Sequence, residues 1–423
     1  MSGGGPRSPN PRRGRRARRW VPLAAAAAGF LPGGGASAQG GVDVAGFTRS
    51  ADGQVSPMQP AWPAPERLLD GLEPVADARR RLRENLGLDV VPLYLLISQA
   101  APGEGGLVTG VFGVNARWEL LNRGARDTGG LYAYFESRHN LTDDGGLQLA
   151  SRIGTPFSTN DFPVFPAGED AYTRVRQLYW RQEFLGDQLS VQVGKLDTAA
   201  LYNRNRFIGN KWRYFLGQHL TTNPGRAFPF TGLGGHLEWR PGAGDFYLSA
   251  GLHDPGADDE QFTLDPGNQT DGVFAVAEAG LPTPGEGLAV FTLYHTAQRD
   301  TPGGFLDEGF GFGFSHAQPL PGGYGLGLRY AYADPDSHGV ESVVAAGLVR
   351  DDPFGRRGDA AGLGVSWLRT SDRADNEQFT TEAFYRLRLA PGVDVSPNLE
   401  LFLPTASGDD VEVVLGSRLS IVF

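Results

Sequence analysis

The stretch from 410 to 423 reads DVEVVLGSRLSIVF and alternates almost without a break. One face carries Val411, Val413, Leu415, Ser417, Leu419, Ile421 and Phe423. The other carries Glu412, Val414, Gly416, Arg418, Ser420 and Val422. A period of two is the mark of a strand. Glu412 and Arg418 share their face with glycine and serine, so that face meets water. A strand this long, apolar outside and polar inside, has the pattern of a transmembrane β-barrel stave. An amphipathic strand of a soluble sandwich has the same alternation, so the rest of the chain must separate the two.

Composition narrows the choice. The chain has 423 residues and no cysteine, which excludes a disulfide framework and a Cys-ligated metal site. Beyond the amino-terminus no apolar run is long enough for a transmembrane helix. The mean hydropathy of −0.28 does not argue against a membrane barrel, because such strands are only half apolar.

The first 38 residues stand apart. They hold seven arginines (Arg7, Arg12, Arg13, Arg15, Arg16, Arg18, Arg19) and no acid. VPLAAAAAGFLPGGG follows, then Ala36-Ser37-Ala38. A basic region, a short apolar region and a small-residue site read as a signal peptide cleaved after Ala38. Without those arginines the formal net charge moves from −10 to −17, and a chain that acidic is a poor nucleic-acid binder. Residues 39–65 are rich in Gly, Ala and Pro and read as a flexible periplasmic lead-in. Over 66–87, Leu68, Leu69, Leu72, Val75, Ala78, Leu82 and Leu86 recur at helical spacing before Gly87, which predicts one short helix near the barrel mouth or inside it.

From Leu88 onward the pattern predicts sixteen strands, at about 88–99, 107–121, 130–139, 171–185, 188–197, 230–240, 244–253, 272–281, 287–297, 308–318, 322–334, 338–349, 359–370, 375–390, 393–403 and 410–423. Most are long enough to cross a bilayer when tilted. Tight-turn residues fall at Gly186-Asp187, from Pro241, at Pro319-Leu320-Pro321 and at Pro391-Gly392, while 140–170, 198–229 and 254–271 are much longer. Alternation of short and long connections is a property of outer-membrane barrels, and a sandwich has no reason to show it. Connections 122–129 and 350–358 are long for the short-turn side. The expected fold is all-β: a 16-stranded antiparallel transmembrane barrel over 88–423 whose last strand closes against 88–99. Sixteen strands leave an aqueous channel rather than a packed core.

Several strands divide into faces. Tyr324, Leu326, Leu328, Tyr330 and Tyr332 oppose Gly325, Gly327, Arg329 and Ala331. Leu233, Leu237 and Trp239 oppose His236, Glu238 and Arg240; Phe379, Tyr385, Leu387 and Leu389 oppose Glu382, Arg386 and Arg388. Arginine at the lipid midplane costs about 2–4 kcal/mol, so the polar sets must face the lumen.

Segment 174–218 (RVRQLYWRQEFLGDQLSVQVGKLDTAALYNRNRFIGNKWRYFLGQ) resembles the carbohydrate-selective porins of the OprB type. The likeness rests on Trp180, on Gly194, Lys195 and Asp197, and on Tyr202, Asn203, Asn205 and Phe207. It continues through GGHLEW (234–239), Arg356 and Asp359 in GLVRDDPFGRRGDAAGLG (347–364), EAFYRLRL (382–389), Pro397-Asn398-Leu399 and the last strand. It covers roughly residues 70–423. The chain departs from that family near Asp70-Gly71-Leu72 and at Phe402-Leu403-Pro404. The resemblance implies passive diffusion of mono- or small oligosaccharides across a Gram-negative outer membrane, with no cofactor. It also implies that the terminal Phe423 is read by the barrel-assembly machinery.

A sugar channel wants multiple hydrogen-bond donors and acceptors, aromatic faces for stacking, and binding weak enough to release. Connection 198–229 has that composition, in Tyr202, Asn203, Asn205, Arg206, Lys211 and Trp212 among others, and is expected to fold into the lumen. Lysine occurs only at Lys195 and Lys211, which flank or lie within this connection. Lys195 is expected near the narrowest point, paired with Asp197 or a nearby glutamate. Arg181, Glu183, His236, Glu238, Arg329, Glu382, Arg386 and Arg388 would form a charged ladder on the wall.

Catalysis finds no support. The seven histidines are scattered, with no HExxH, nucleophile elbow or P-loop. The glycine alternation of 309–314 is wall periodicity. Asp258, Asp259 and Glu260 read as a solvated acidic loop rather than a metal site. The expected partners are small sugars and outer-membrane lipids; composition says nothing of the oligomer. The alternatives are a general or anion-leaning porin without sugar preference, or a barrel-based enzyme or adhesin.

Overall fold

The computed structural model describes residues 66–162, 170–242, 246–257, 272–301, 304–371, 377–390, 392–403 and 411–422. The signal-peptide and lead-in readings, the acidic triplet 258–260 and Phe423 lie outside the described residues.

Among the described residues, eighteen strands follow helix α1 (Glu66–Leu86). They are β1 (Leu88–Ala101), β2 (Gly105–Leu121), β3 (Gly129–Asn140), β4 (Ala171–Phe184), β5 (Leu189–Leu196), β6 (Gly232–Trp239), β7 (Tyr247–His253), β8 (Phe274–Thr283), β9 (Gly287–Thr296), β10 (Arg299–Thr301), β11 (Gly304–Leu306), β12 (Gly309–Leu320), β13 (Tyr324–Ala333), β14 (Val340–Asp351), β15 (Ala360–Thr370), β16 (Glu377–Ala390), β17 (Val393–Leu403) and β18 (Glu412–Val422). Three short α-helices interrupt the series, α2 (Gly146–Ile153) between β3 and β4, and α3 (Thr198–Leu201) and α4 (Gln218–Thr221) between β5 and β6. Sixteen of the strands form one closed antiparallel barrel in chain order; β10 and β11 pair only with each other, as a small hairpin in the β9–β12 connection that the sequence pattern missed. β18 closes on β1, from Leu93 opposite Val422 to Ala100 opposite Leu415. Closure leaves no unpaired edge, as a bilayer demands of any spanning sheet.

The distribution of apolar side chains is inverted relative to a soluble protein. Phe310 is 69% exposed, Leu293 66% and Leu415 55%, whereas Arg418, Glu382 and Glu400 are buried. Alternation along most strands therefore puts the apolar row against lipid and the polar row in the lumen; β1 is an exception, with Leu95 and Ile97 buried inward against Phe162 and Leu216. The face divisions read for β6, β13, β16 and β18 all hold in this sense.

The chain ends of the barrel share one mouth with Gly392 and with the connections 122–128, 185–188 and 352–359. Two of these are long because side chains lock them. The Asp127 carboxylate accepts from Gly186 N at 2.7 Å, tying one turn to its neighbour. Asp359 accepts from Arg356 Nε at 2.6 Å, Tyr385 Oη at 2.8 Å and Arg388 N at 2.8 Å. Helix α1 docks at this mouth, through Arg79–Asp89 at 3.0 Å and Trp118 Nε1 donating to Leu86 O. At the other mouth the connections 102–104, 334–339 and 371–376 are short exceptions to the long loops.

β4 carries a bulge. Tyr134 faces Gln177 and Phe135 faces Val175, which leaves Arg176 without a register partner. The extra residue switches the inward face from even to odd positions. Arg174 and Arg176 therefore share the lumen with Gln177, Arg181 and Glu183.

Candidate functional site

The connection between β5 and β6, residues 197–231, enters the lumen and crosses it. It begins with Asp197, whose carboxylate accepts from Ala199 N at 3.0 Å and caps α3. Arg176, the bulged residue, donates to the same carboxylate at 2.6 Å. Lys195 is buried two residues earlier on β5, just before Gly232 is met across the ladder.

Nearly every polar group along this loop is met by the wall. Tyr202 Oη bonds His236 Nδ1 at 2.8 Å and His253 Nε2 at 3.2 Å. Burial pushes the Tyr202 phenol well above its ordinary range, so it stays a neutral hydroxyl. Asn203 N donates to Glu278 at 2.5 Å. Asn205 donates to Ser315 Oγ at 2.9 Å and its carbonyl oxygen accepts from Phe207 N and Ile208 N. Glu382 accepts from Leu216 N at 2.7 Å and Gly217 N at 2.9 Å. Arg329 donates to Leu220 O and Thr222 O at 2.9 and 3.2 Å. Arg418 donates to Tyr214 O at 2.9 Å and to Lys211 O.

The apolar residues of the loop pack where much of the wall carries glycine or alanine. Phe207, Ile208, Tyr214, Phe215 and Leu220 form a buried cluster with Ala317, Ala345, Val349, Ala360 and Phe384. A Cβ on Gly325 would lie 2.1 Å from the Phe207 ring, and one on Gly364 would lie 2.4 Å from Leu220. The inward glycines of β13–β15 are thus the floor of a packed core. Burial of each such side chain stabilises the loop by roughly 1.5–3 kcal/mol. This corrects the expectation of a lumen without a core: its β12–β16 side is dry and filled.

A second segment, residues 141–162, meets the first. Leu149 and Ile153 on α2 pack on Ala101, Leu107, Phe402 and Val414. Asp161 then pairs with Lys211 Nζ at 2.8 Å and accepts from Thr222 Oγ1 at 2.6 Å. Phe162 lies edge-on to Trp212, ring centroids 5.2 Å apart, with the Lys211 ammonium 4.8 Å from its centroid. Burial draws the Lys211 ammonium below the ordinary lysine range, and the Asp161 carboxylate opposes that shift. The sequence did hold a signal for this segment, in Leu149 and Ile153 at helical spacing before Gly154.

The expected site residues therefore fall into distinct places. Tyr202, Asn203, Asn205 and His236 are buried in the loop–wall contact, with no face left for a solute. Glu382 and Arg329 hold loop backbone. Glu238 pairs with Arg204 at 3.2 Å and Arg240 at 2.7 Å. Arg181 and Glu183 pair with each other at 2.5 Å on the last residues of β4. Arg388 pairs with Asp394, and Arg386 donates to Gly358 O at 2.8 Å while lying 3.7 Å from Asp394. Arg206 is exposed, and Lys211, Trp212 and Arg213 are half-buried, so the loop tip is the part that faces open lumen. Arg213 reaches Asp351 at 2.8 Å across that space. Arg174 and Arg138, which the sequence reading did not single out, converge with Arg176 on Glu136.

Residues 105–423 match the profile of the carbohydrate-selective porin, OprB family. The high-pH structure of Pseudomonas putida OprB superposes with a TM-score of 0.68 at 15% identity, over 82% of this chain and 97% of that one. The low-pH structure of the same protein gives 0.54 at 15% identity, over 83% and 97%. A mutant of Rh. blastica porin gives 0.50 at 12% identity, over 79% and 100%. No curated protein matches the chain in sequence.

Proposed function

The chain belongs to the carbohydrate-selective porin, OprB family, and from that membership we propose that its sugar path runs past the tip of the 197–231 loop, between Arg206 and Arg213. The protein is an outer-membrane porin that allows carbohydrates to diffuse, and its barrel is a channel. The observation that carries the finer reading is the division of the loop itself. Its flanks are largely buried against the wall, and its tip offers Arg206, Asn210, Lys211, Trp212 and Arg213 to the lumen. Trp212 supplies a flat apolar face for a sugar ring, and the guanidinium groups supply paired donors for vicinal hydroxyls. Arg388 lines the path at another depth in this proposal, while Lys195, Asp197 and Arg386 are buried beside it, and no step of it needs catalysis or a cofactor.

Single-channel current block by a panel of sugars tests this reading. Losing one stacking contact of about 1 kcal/mol weakens block about fivefold. Trp212→Ala is expected to show that loss with little change in open-channel conductance, and Arg206→Ala a smaller one. Unchanged sugar block in both variants would sink the reading. A second reading, an anion-leaning porin without sugar preference, draws on the excess of Arg204, Arg206, Arg213 and Lys211 in the loop. It predicts anion selectivity that falls in Arg206→Ala, with no sugar block in the parent.

We also propose that the segment before residue 39 is removed on export, and that Phe423 guides assembly with the insertion machinery and lipids. Deleting Phe423 is expected to lower the folded barrel in the outer membrane while leaving the sugar preference of the surviving channels as it was. Normal assembly levels would count against that role.

A further inference from the structure

The loop meets the wall at one place where the hydrogen bonding does not close. Glu382 on β16 and Glu400 on β17 are direct register partners, and neither side chain is exposed. His219 comes down on them from the loop, its Nδ1 4.0 Å from Glu400 Oε2. Ligand atoms of all three residues lie within 4.8 Å of one another.

Two atoms in this cluster have no hydrogen-bond partner although both are buried: Glu400 Oε2 and His219 Nε2. The other Glu400 oxygen accepts from Gln99 Nε2 at 2.9 Å and from Asn398 Nδ2 at 3.0 Å. Arg418 is the cation in electrostatic reach of Glu382, and its hydrogen bonds go to loop carbonyls and Ser396. One guanidinium facing two carboxylates leaves the cluster a positive charge short among the described residues. Gly217 closes the cradle: a Cβ there would sit 2.6 Å from His219 Nδ1 and 2.9 Å from Glu400 Oε2. A buried polar group without a partner is costly, and an unpaired buried charge more so.

We propose that His219, Glu382 and Glu400 bind a divalent transition-metal ion of the Zn2+ class, which pins the loop to strands β16 and β17. One imidazole and two carboxylates suit Zn2+ and do not suit the all-oxygen preference of Ca2+ or Mg2+. Metal–ligand bonds of about 2.0–2.2 Å set tetrahedral ligand atoms roughly 3.4 Å apart, so His219 Nδ1 and Glu400 Oε2, now 4.0 Å apart, close by about 0.6 Å on binding. Small side-chain shifts bring in Glu382, whose oxygens keep lone pairs while accepting from Leu216 N and Gly217 N. Those two amides, with Gln99 and Asn398, already orient the carboxylates from behind, as outer partners of metal ligands do. The ion removes both orphaned groups if the His219 ring turns Nε2 toward it, and it supplies the missing charge in either ring orientation.

The test uses the full-length protein, folded in detergent, stripped with a chelator and equilibrated with Zn2+ alone. Elemental analysis should find one Zn2+ per folded chain, undisplaced by excess Ca2+ or Mg2+. Glu400→Gln keeps the shape and the Gln99 contact, and His219→Asn leaves both carboxylates; each should bind at least tenfold less at the same free Zn2+. Resistance of the unheated barrel to SDS reports that a variant has folded. Co2+ in the unmutated protein gives a readout that needs no variant, and should show the intense visible bands of a four-coordinate N/O site. Absence of bound Zn2+, retention of binding in a folded variant, or a weak six-coordinate Co2+ spectrum each overturns the proposal. The last two would place the metal on other side chains, and the first would leave the carboxylate pair sharing a proton.

Discussion

Arg418→Met is expected to free the loop tip from the lumen wall, raise single-channel conductance several-fold and abolish sugar block. Arg418 lies in the middle of β18, is almost fully buried, and holds Lys211 O and Tyr214 O with its two terminal nitrogens. Methionine keeps the length and the apolar stem but removes every donor. The two carbonyls would then be buried without partners, at about 1–3 kcal/mol each, and Glu382 would lose its nearest cation. The loop has an alternative that the strand does not: its polar backbone can return to water. β18 stays paired with β17 from Glu412 to Ile421 and with β1 from Leu415 to Val422, so the barrel persists while the loop moves. Conductance in planar bilayers checks this, with the heat-modified mobility of the barrel as the control for folding. Parent-like conductance and sugar block would show that the arginine is not the clamp.

Gly347→Val is expected to produce the same open channel by the opposite route, through crowding instead of lost bonds. Gly347 faces inward on β14, between Gly327 and Gly364 on the adjoining strands. A Cβ there would lie 2.3 Å from Ile208 Cγ2 and 3.0 Å from the Phe215 ring. Overpacking of this kind costs about 1–3 kcal/mol. Valine is otherwise favoured in a strand, so the wall gains what the loop loses. Cleavage by trypsin at the loop arginines, together with conductance, reads the displacement; both should rise. Leu348→Val, one residue away and facing lipid, should change neither. A parent-like Gly347→Val channel would mean that the loop packs less tightly on this floor than the distances say.

Both predictions concern contacts that no pattern along the chain displays. The inward glycines of β13–β15 read in sequence as plain alternation, one small residue opposite one large. Their purpose becomes visible only when Phe207, Ile208 and Phe215 are set on them. Arg329, Glu382 and Arg386 were legible as inward charges because a charged group has one tolerable face on a membrane strand. What those charges touch was not legible. Arg329 and Glu382 hold backbone groups of the loop more than a hundred residues earlier in the chain. Tyr202 and Asn205 have the chemistry a sugar would favour and the same chemistry a loop needs to bond to a wall, and composition cannot separate the two uses.

The bulge at Arg176 marks the same limit. One extra residue in β4 brings Arg174, Arg176 and Gln177 to a single face, and strict period two forbids that. Asp127 and Asp359 explain the two connections that looked too long for their side of the barrel. Each is a turn closed by a carboxylate on backbone amides.

By itself the sequence determined the barrel: sixteen staves, the inward and outward faces of those with strict alternation, and the closing of the last on the first. Those follow from alternation and from the cost of charge in lipid, which act locally on each strand and need no knowledge of distant residues. The tertiary structure alone decided how the lumen is filled. Which side is packed, which arginines clamp, and which few loop residues still face open space depend on where a long connection returns to the wall. That return is set by shape and by hydrogen bonds between residues far apart in the chain.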